Sequence, residues 1–155
     1  MVGKIDLSKF EKRPAGVKDN VQNLYVIDTN VFVDDPEVIK SIHQDYPIIL
    51  SAKVLDELDN LKGKLDPEGQ RKVQKALKSI NYFIDKRDIR LEVADLSLLP
   101  DDFSKRSADN FILSVLLKFP RANAILLTSD NGLQVKAKGM GFTTLSLAEF
   151  RRRRK

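Results

Sequence analysis

The sequence predicts an α/β fold in which a central, mainly parallel sheet is covered by helices on both faces. Two observations carry that prediction: strand-like and helix-like segments alternate along the chain, and most of the strand-like ones are near-continuous apolar runs. A third sets the scale, because 155 residues are the size of one domain with little left over for a second. In sheets of this kind ligands bind outside the carboxyl ends of the strands, where strand order reverses. Residues at those ends are therefore the candidates for function.

Residues 1–22 mix Lys, Asp, Gly and Pro with no sustained period and read as a flexible lead-in. The folded body, residues 23–150, opens with the apolar run Leu24-Tyr25-Val26-Ile27, a strand that ends at Asp28. Asp35-Pro36 starts a helix through about His43, with proline suited to its first turn. Pro47-Ile48-Ile49-Leu50 is the second buried strand, and Ser51 is placed to cap a helix over Ala52 to Leu61. A turn at Gly63 leads into a long basic amphipathic helix from about Pro67 to Asp85. Ile89 to Val93 alternates like a strand, and Asp95 to Arg106, with Pro100 inside it, is loop-like. Ser107 then caps a strongly apolar helix through Leu117. Ala124 to Leu127 is a strand, Asn131 to Lys138 a short helix, and Thr143 to Leu147 a last strand. Residues 151–155, RRRRK, form a basic tail.

Composition removes several classes of function. Hydrophobic residues at 42% and charged residues at 32% fit a folded soluble protein rather than a disordered one. No apolar run approaches the roughly 18 residues of a membrane span, so no membrane partner is expected. The first residues lack the apolar stretch of a secretory signal, and the expected location is the cytoplasm. Zero cysteines exclude disulfides, thiolate metal sites and a cysteine nucleophile, and the single histidine, His43, excludes multi-histidine zinc sites. The net charge of +5 comes from 27 Lys and Arg against 22 Asp and Glu, and RRRRK alone carries five of the positives. The rest of the chain is balanced, so the charge reports a tail and not a basic domain.

Four acids occupy suggestive places. Asp28 and Asp130 each follow an apolar strand, a position where an acid alone is most often a turn or cap residue. Asp109 lies in the first turn of its helix, where the dipole favours a carboxylate, yet Ile112, Leu113 and Leu116 place it on the buried stripe. On the helix from Ala52 to Leu61 the stripe is Val54, Leu55, Leu58 and Leu61. Glu57 flanks it at roughly 90° from its centre, Asp56 points nearly opposite, and Asp59 lies on the other flank. Glu57 is the choice, with its neighbours still open. Four carboxylates gathered at one end of a sheet repel each other, and a hard divalent cation such as Mg²⁺ relieves that. Such an ion generates a hydroxide nucleophile and stabilises a phosphodiester displacement without Cys or His.

At these residues the sequence resembles a PIN domain, over about Leu24 to Leu147. VIDTNVFVDDPEVI resembles the family's opening strand, acid and helix; SAKVLDELDNLKG, SADNFIL and LLTSDNGLQVKAKGMGF resemble its second, third and fourth motifs. The DTNVxxxDP opening, the ELDxLK helix and the DNGLxxKAxxxG close are most similar to the PIN domains fused to PhoH-like ATPases. The resemblance implies a three-layer α/β/α sandwich and an endoribonuclease cutting single-stranded RNA with Mg²⁺ or Mn²⁺. Its catalytic and metal-binding acids would be Asp28, Glu57, Asp109 and Asp130. Thr29, Asn30, Thr128 and Asn131 would support the acids by hydrogen bonds, although each is also an ordinary turn or cap residue.

Lys62, Lys64, Arg71 and Lys72 cluster after Glu57, and Lys136 follows Asp130; as a group they could hold RNA phosphates beside the acids. Gly63-Lys64 lacks the upstream glycine of a Walker motif, so no ATPase is expected in this chain; either the protein stands alone, or a fused or associated ATPase domain lies outside it. A homodimer is left open. A haloacid-dehalogenase-like phosphatase is disfavoured, because it needs a second acid two residues after the first and Asn30 stands there. The other alternative is a PIN-like module that binds RNA or protein without cutting; the filled acidic quartet argues against it.

Overall fold

The computed structural model describes residues 23–153, so the lead-in expected over residues 1–22 lies outside the described residues. Five strands, β1 (Leu24–Ile27), β2 (Ile48–Ser51), β3 (Ile89–Glu92), β4 (Ala124–Leu127) and β5 (Thr143–Leu145), form one sheet in the order β3-β2-β1-β4-β5. Every neighbouring pair is parallel. The helices are α1 (Thr29–Asp34), α2 (Ala52–Leu61), α3 (Pro67–Phe83), α4 (Ala108–Leu116), α5 (Asn131–Gly139) and α6 (Leu147–Arg153). Strands β1, β2 and β4 are buried along their whole length, which requires helical cover on both faces. Val26, Ile27, Ile49, Leu50, Leu126 and Leu127 are among the core side chains fully removed from water. No described helix is long and apolar enough to cross a membrane.

This topology fixes where a ligand can sit. From β1 the chain steps to β2 and β3 on one side, then returns to place β4 on the other side of β1. Strand order therefore reverses between β1 and β4, opening the crevice outside their carboxyl ends. Ile27 pairs with Leu127 at the last rung, so Asp28 and Thr128 leave the sheet side by side.

Helix starts follow local chemistry. Ser51 accepts a hydrogen bond from the Lys53 N–H (3.2 Å) and caps α2. Asp66 caps α3 through the Gly69 N–H (2.8 Å), and Pro67 fills its first turn. Three expectations need correction. The helix expected from Asp35 to His43 is a single 3₁₀ turn at Val38–Ser41; the real helix starts earlier, at Thr29, because the Asp28 carboxylate caps it. The last strand ends at Leu145 and Leu147 already belongs to α6. There the Ser146 N–H bonds Glu149 Oε1 (2.8 Å) and the Glu149 N–H bonds Ser146 Oγ (3.1 Å), a reciprocal capping box. Helix α6 therefore takes in Arg151–Arg153, the first residues of the basic run. Ser107 occupies the cap position of α4, but its hydroxyl makes no capping bond.

Candidate functional site

The crevice at the carboxyl ends of β1 and β4 is an open cleft of about 470 Å³. Asp28, Glu57, Asp109 and Asp130 all line it. Asp28 is buried to 5% exposure, and three donors converge on its carboxylate. The Thr29 N–H (2.7 Å) reaches Oδ1, while Thr128 Oγ1 (2.7 Å) and Asn30 Nδ2 (3.1 Å) reach Oδ2. Burial nevertheless wins and pushes the Asp28 carboxyl up; the hydrogen bonds from Thr128 and Thr29 oppose that, and the charges of Asp109 and Glu57 add to it.

The other acids are held from different elements. Glu57, half-buried on α2, accepts from Thr29 Oγ1 at 2.6 Å, so the residue after Asp28 ties α2 to the end of β1. Its neighbours Asp56 and Asp59 are exposed, and Asp59 pairs with Lys62 (3.2 Å), which settles in favour of Glu57 which of the three faces the cleft. Asp130 caps α5 through the Leu133 N–H (3.1 Å), and its own N–H donates to Thr128 Oγ1 (3.0 Å). A Cβ on Gly132 would stand 3.3 Å from Asp130 Oδ1, so glycine keeps room for that carboxylate over the helix start. Asp109 is partly buried in the first turn of α4. Its carboxyl is raised by burial first, then by the charge of Asp130, by that of Glu57, and by a hydrogen bond shared with the Asp130 carboxyl; Lys136 pulls the other way.

Of the supporting residues expected from the sequence, Thr29, Asn30 and Thr128 all bond the acids, and Asn30 Oδ1 also accepts from the Ser129 N–H (3.1 Å) across the β1–β4 gap. Asn131 is exposed, and among the described residues no acid accepts a hydrogen bond from it. Among the basic residues, Lys64 lines the cleft, carried there by Gly63 at φ +115. Lys136 approaches it by another route, bonding Asn110 Oδ1 (2.9 Å) beside Asp109. Lys62 and Lys72 are paired with Asp59 and Glu68, and Arg71 is exposed on α3 away from the lining. Asp34 and Asn60 also line the cleft and are not among the residues expected from the sequence. Their signal is helical spacing: Asp34 is four residues after Asn30, and Asn60 three after Glu57.

Among the described residues no three acidic or histidine side chains stand close enough to form a ready-made metal cage. The donor set still fits a hard cation of the Mg²⁺ kind, which is held by one or two carboxylates and keeps several waters in an open site. Two carboxyls raised by burial and by the charges of neighbouring acids are the electrostatic state that such an ion relieves.

The family model described as PIN domain matches residues 25–148. A domain of a functionally unknown protein from Methanocaldococcus jannaschii superposes with a TM-score of 0.55 at 21% identity, covering 81% of this chain and 91% of that one. A PilT N-terminus domain protein from Sulfolobus solfataricus superposes at 0.52 with 16% identity, covering 84% and 92% respectively. These likenesses carry the fold. A comparison with curated proteins finds no match.

Proposed function

The chain belongs to the PIN domain family, whose members are generally metal-dependent nucleases, and we propose that it is a divalent-metal-dependent endoribonuclease acting on single-stranded RNA. The observation that carries this reading is the convergence of four carboxylates from β1, α2, α4 and α5 on one open cleft at the strand-order switch point. The motifs around Asp28, Glu57 and Asp130 favour the PhoH-like branch of the family, and with it an ATPase partner outside this chain.

In this mechanism Asp28, Glu57, Asp109 and Asp130 are the residues that would hold Mg²⁺ or Mn²⁺. The chemistry such an ion would supply there is a hydroxide at neutral pH and stabilisation of charge on the reacting phosphate. The chain's own part is orientation. Thr128, Thr29 and Asn30 fix the Asp28 carboxylate, and Thr29 also fixes Glu57, so these two acids are oriented before an ion arrives. Lys64 at the rim offers its ammonium to a backbone phosphate.

The test is incubation of the purified chain with a labelled single strand and Mn²⁺, beside EDTA and an Asp109→Asn control. Cleavage abolished in both controls supports the reading. A folded protein that neither cleaves nor binds Mn²⁺ rejects it and leaves a non-catalytic binding module.

A further inference from the structure

Strand β3 is the outermost strand on its side of the sheet, and its sequence makes it complementary to itself. In the parallel ladder the Ile48 N–H donates to the Asp88 carbonyl (2.9 Å) while Ile48 pairs with Ile89. Residues 88, 90 and 92 therefore turn their backbone groups toward β2, and Ile89, Leu91 and Val93 turn theirs to the open edge. The side chains of those three share one face, on which Leu91 is 54% and Val93 61% exposed. Edge strands are ordinarily blunted by proline, a bulge or a run of like charge. β3 has no proline, and the charged residues of its other face are one of each sign, Arg90 and Glu92.

We propose that this edge joins a second copy of the chain, strand β3 running antiparallel to its own copy about a two-fold axis at Leu91. The register follows from charge and backbone parity. Centred on Leu91, Arg90 lies across from Glu92 of the second copy and Glu92 across from its Arg90, while Ile89 faces Val93. All the pairs that meet through backbone groups, 89 with 93 and 91 with 91, are those whose groups point outward. Centring on Arg90 or Glu92 sets like charges against each other, and a half-step shift opposes outward groups to inward ones. In the single chain Arg90 holds Asp88 (2.8 Å) and Glu92 holds Lys118 (3.2 Å), and Arg90 and Leu91 remain exposed. The contact is small, so the dimer dissociates on dilution. The edge is remote in sequence and sheet order from the acidic cleft, and the inference stands apart from the nuclease reading.

Light scattering coupled to gel filtration tests it across a dilution series of the full chain, with circular dichroism to confirm folding. The wild-type chain shifts from dimer to monomer on dilution. Arg90→Glu and Glu92→Arg are each monomeric, the Arg90→Glu/Glu92→Arg double variant dimerises again, and an equimolar mixture of the two single variants forms a heterodimer. Should either single variant fail to fold, Leu91→Lys takes its place: two ammonium groups at the axis make it monomeric. A wild-type chain that is monomeric up to its solubility limit overturns the proposal. So does a dimer indifferent to these charges, which would use another surface.

Discussion

At the carboxyl ends of the strands the cleft is lined by Asp28, Asp34, Glu57, Asp109 and Asp130, with Lys64 the lone cation among its described lining residues. At the amino ends a larger cleft of about 820 Å³ is lined by Lys40, His43, Lys86, Arg87 and Arg153, with no acid among them. Backbone polarity explains much of this separation. In a parallel sheet each strand hands the chain to a helix start at its carboxyl end, where free N–H groups collect and attract oxygen: Asp28, Ser51 and Asp130 are helix caps there. At the amino ends the chain arrives with carbonyls that still have room for a donor. Arg87 donates to four of them, those of Ile39, Ile42, His43 and Tyr46, at 2.8–3.1 Å. Capping accounts for Asp28 and Asp130, but not for Glu57 and Asp109, which sit inside helices and feel the other acids. That surplus of negative charge is what a cation would answer, and it is why the proposed function is placed at the acidic end.

Removing one carboxylate of the acidic cleft gives the largest effect. Asp28→Asn keeps the shape and a good capping side chain, so the protein stays folded. Losing a carboxylate from the metal site costs several kcal/mol of transition-state stabilisation, which lowers single-turnover cleavage by at least about 100-fold at 1.36 kcal/mol per decade. An Asp28→Asn protein that cleaves at the wild-type rate sinks the site. The same substitution has a pH signature. The folded-state values of Asp28 and Asp109 are raised, so between the ordinary carboxylate range and those values the native state binds more protons than the unfolded one. Their contribution to stability is thus greatest at low pH and is lost as pH rises through that window. In EDTA, an Asp28→Asn/Asp109→Asn chain should gain on the wild type in melting temperature as pH climbs toward neutrality, and adding Mn²⁺ should cancel the difference. A melting difference that does not change with pH would break the electrostatic account.

At the other end the expected effect is on stability alone. Arg87→Ala strips the donor from four carbonyls and should lower urea-unfolding stability by about 3 kcal/mol, charged hydrogen bonds being among the stronger ones. Arg87→Lys recovers little, because one ammonium cannot reproduce the fork. Cleavage per folded molecule should be unchanged in both, and a loss of activity beyond the unfolded fraction would erase the distinction between the two ends.

Helix α2 and strand β4 were legible to the residue, because a long apolar stripe and an uninterrupted apolar run leave one reading. Asp28, Glu57, Asp109 and Asp130 were legible as positions after strands and on or beside stripes, whereas Asp34, also in the cleft, was not. Helix α1 was not: six residues, TNVFVD, are too few to show a period, and only the cap at Asp28 announces it. Helix α6 was hidden by its arginines, although Ser146-Leu147-Ala148-Glu149 spells a capping box. The Arg87 clamp and the Lys136–Asn110 bond join residues far apart in the chain, and nothing local in the sequence encodes such pairs.

Thr29→Val separates the acids from their supports. It leaves every carboxylate in place but removes the 2.6 Å bond that aims Glu57. Mn²⁺ affinity, read by titration calorimetry, should fall by about tenfold, the lower end of what such supporting bonds contribute. An affinity equal to wild type would mean that Glu57 needs no aiming, and would shift the weight of the site to Asp28, Asp109 and Asp130.

The smallest effect belongs to Lys64, the one cation among the described residues that line the acidic cleft. Lys64 has no ion-pair partner among the described residues, while Lys62 and Lys72 are neutralised by Asp59 and Glu68. Its ammonium is therefore free to meet a phosphate at the cleft mouth, where the strand must pass to reach the acids. Lys64→Ala should weaken single-strand binding a few-fold and reduce the slope of log affinity against log salt by about 1, the share of a single neutralised phosphate. Lys62→Ala and Lys72→Ala, whose charges are already compensated, should change that slope by less. Equal slopes for all three variants would mean that a diffuse positive field holds the strand, and that the cleft mouth adds no phosphate grip of its own.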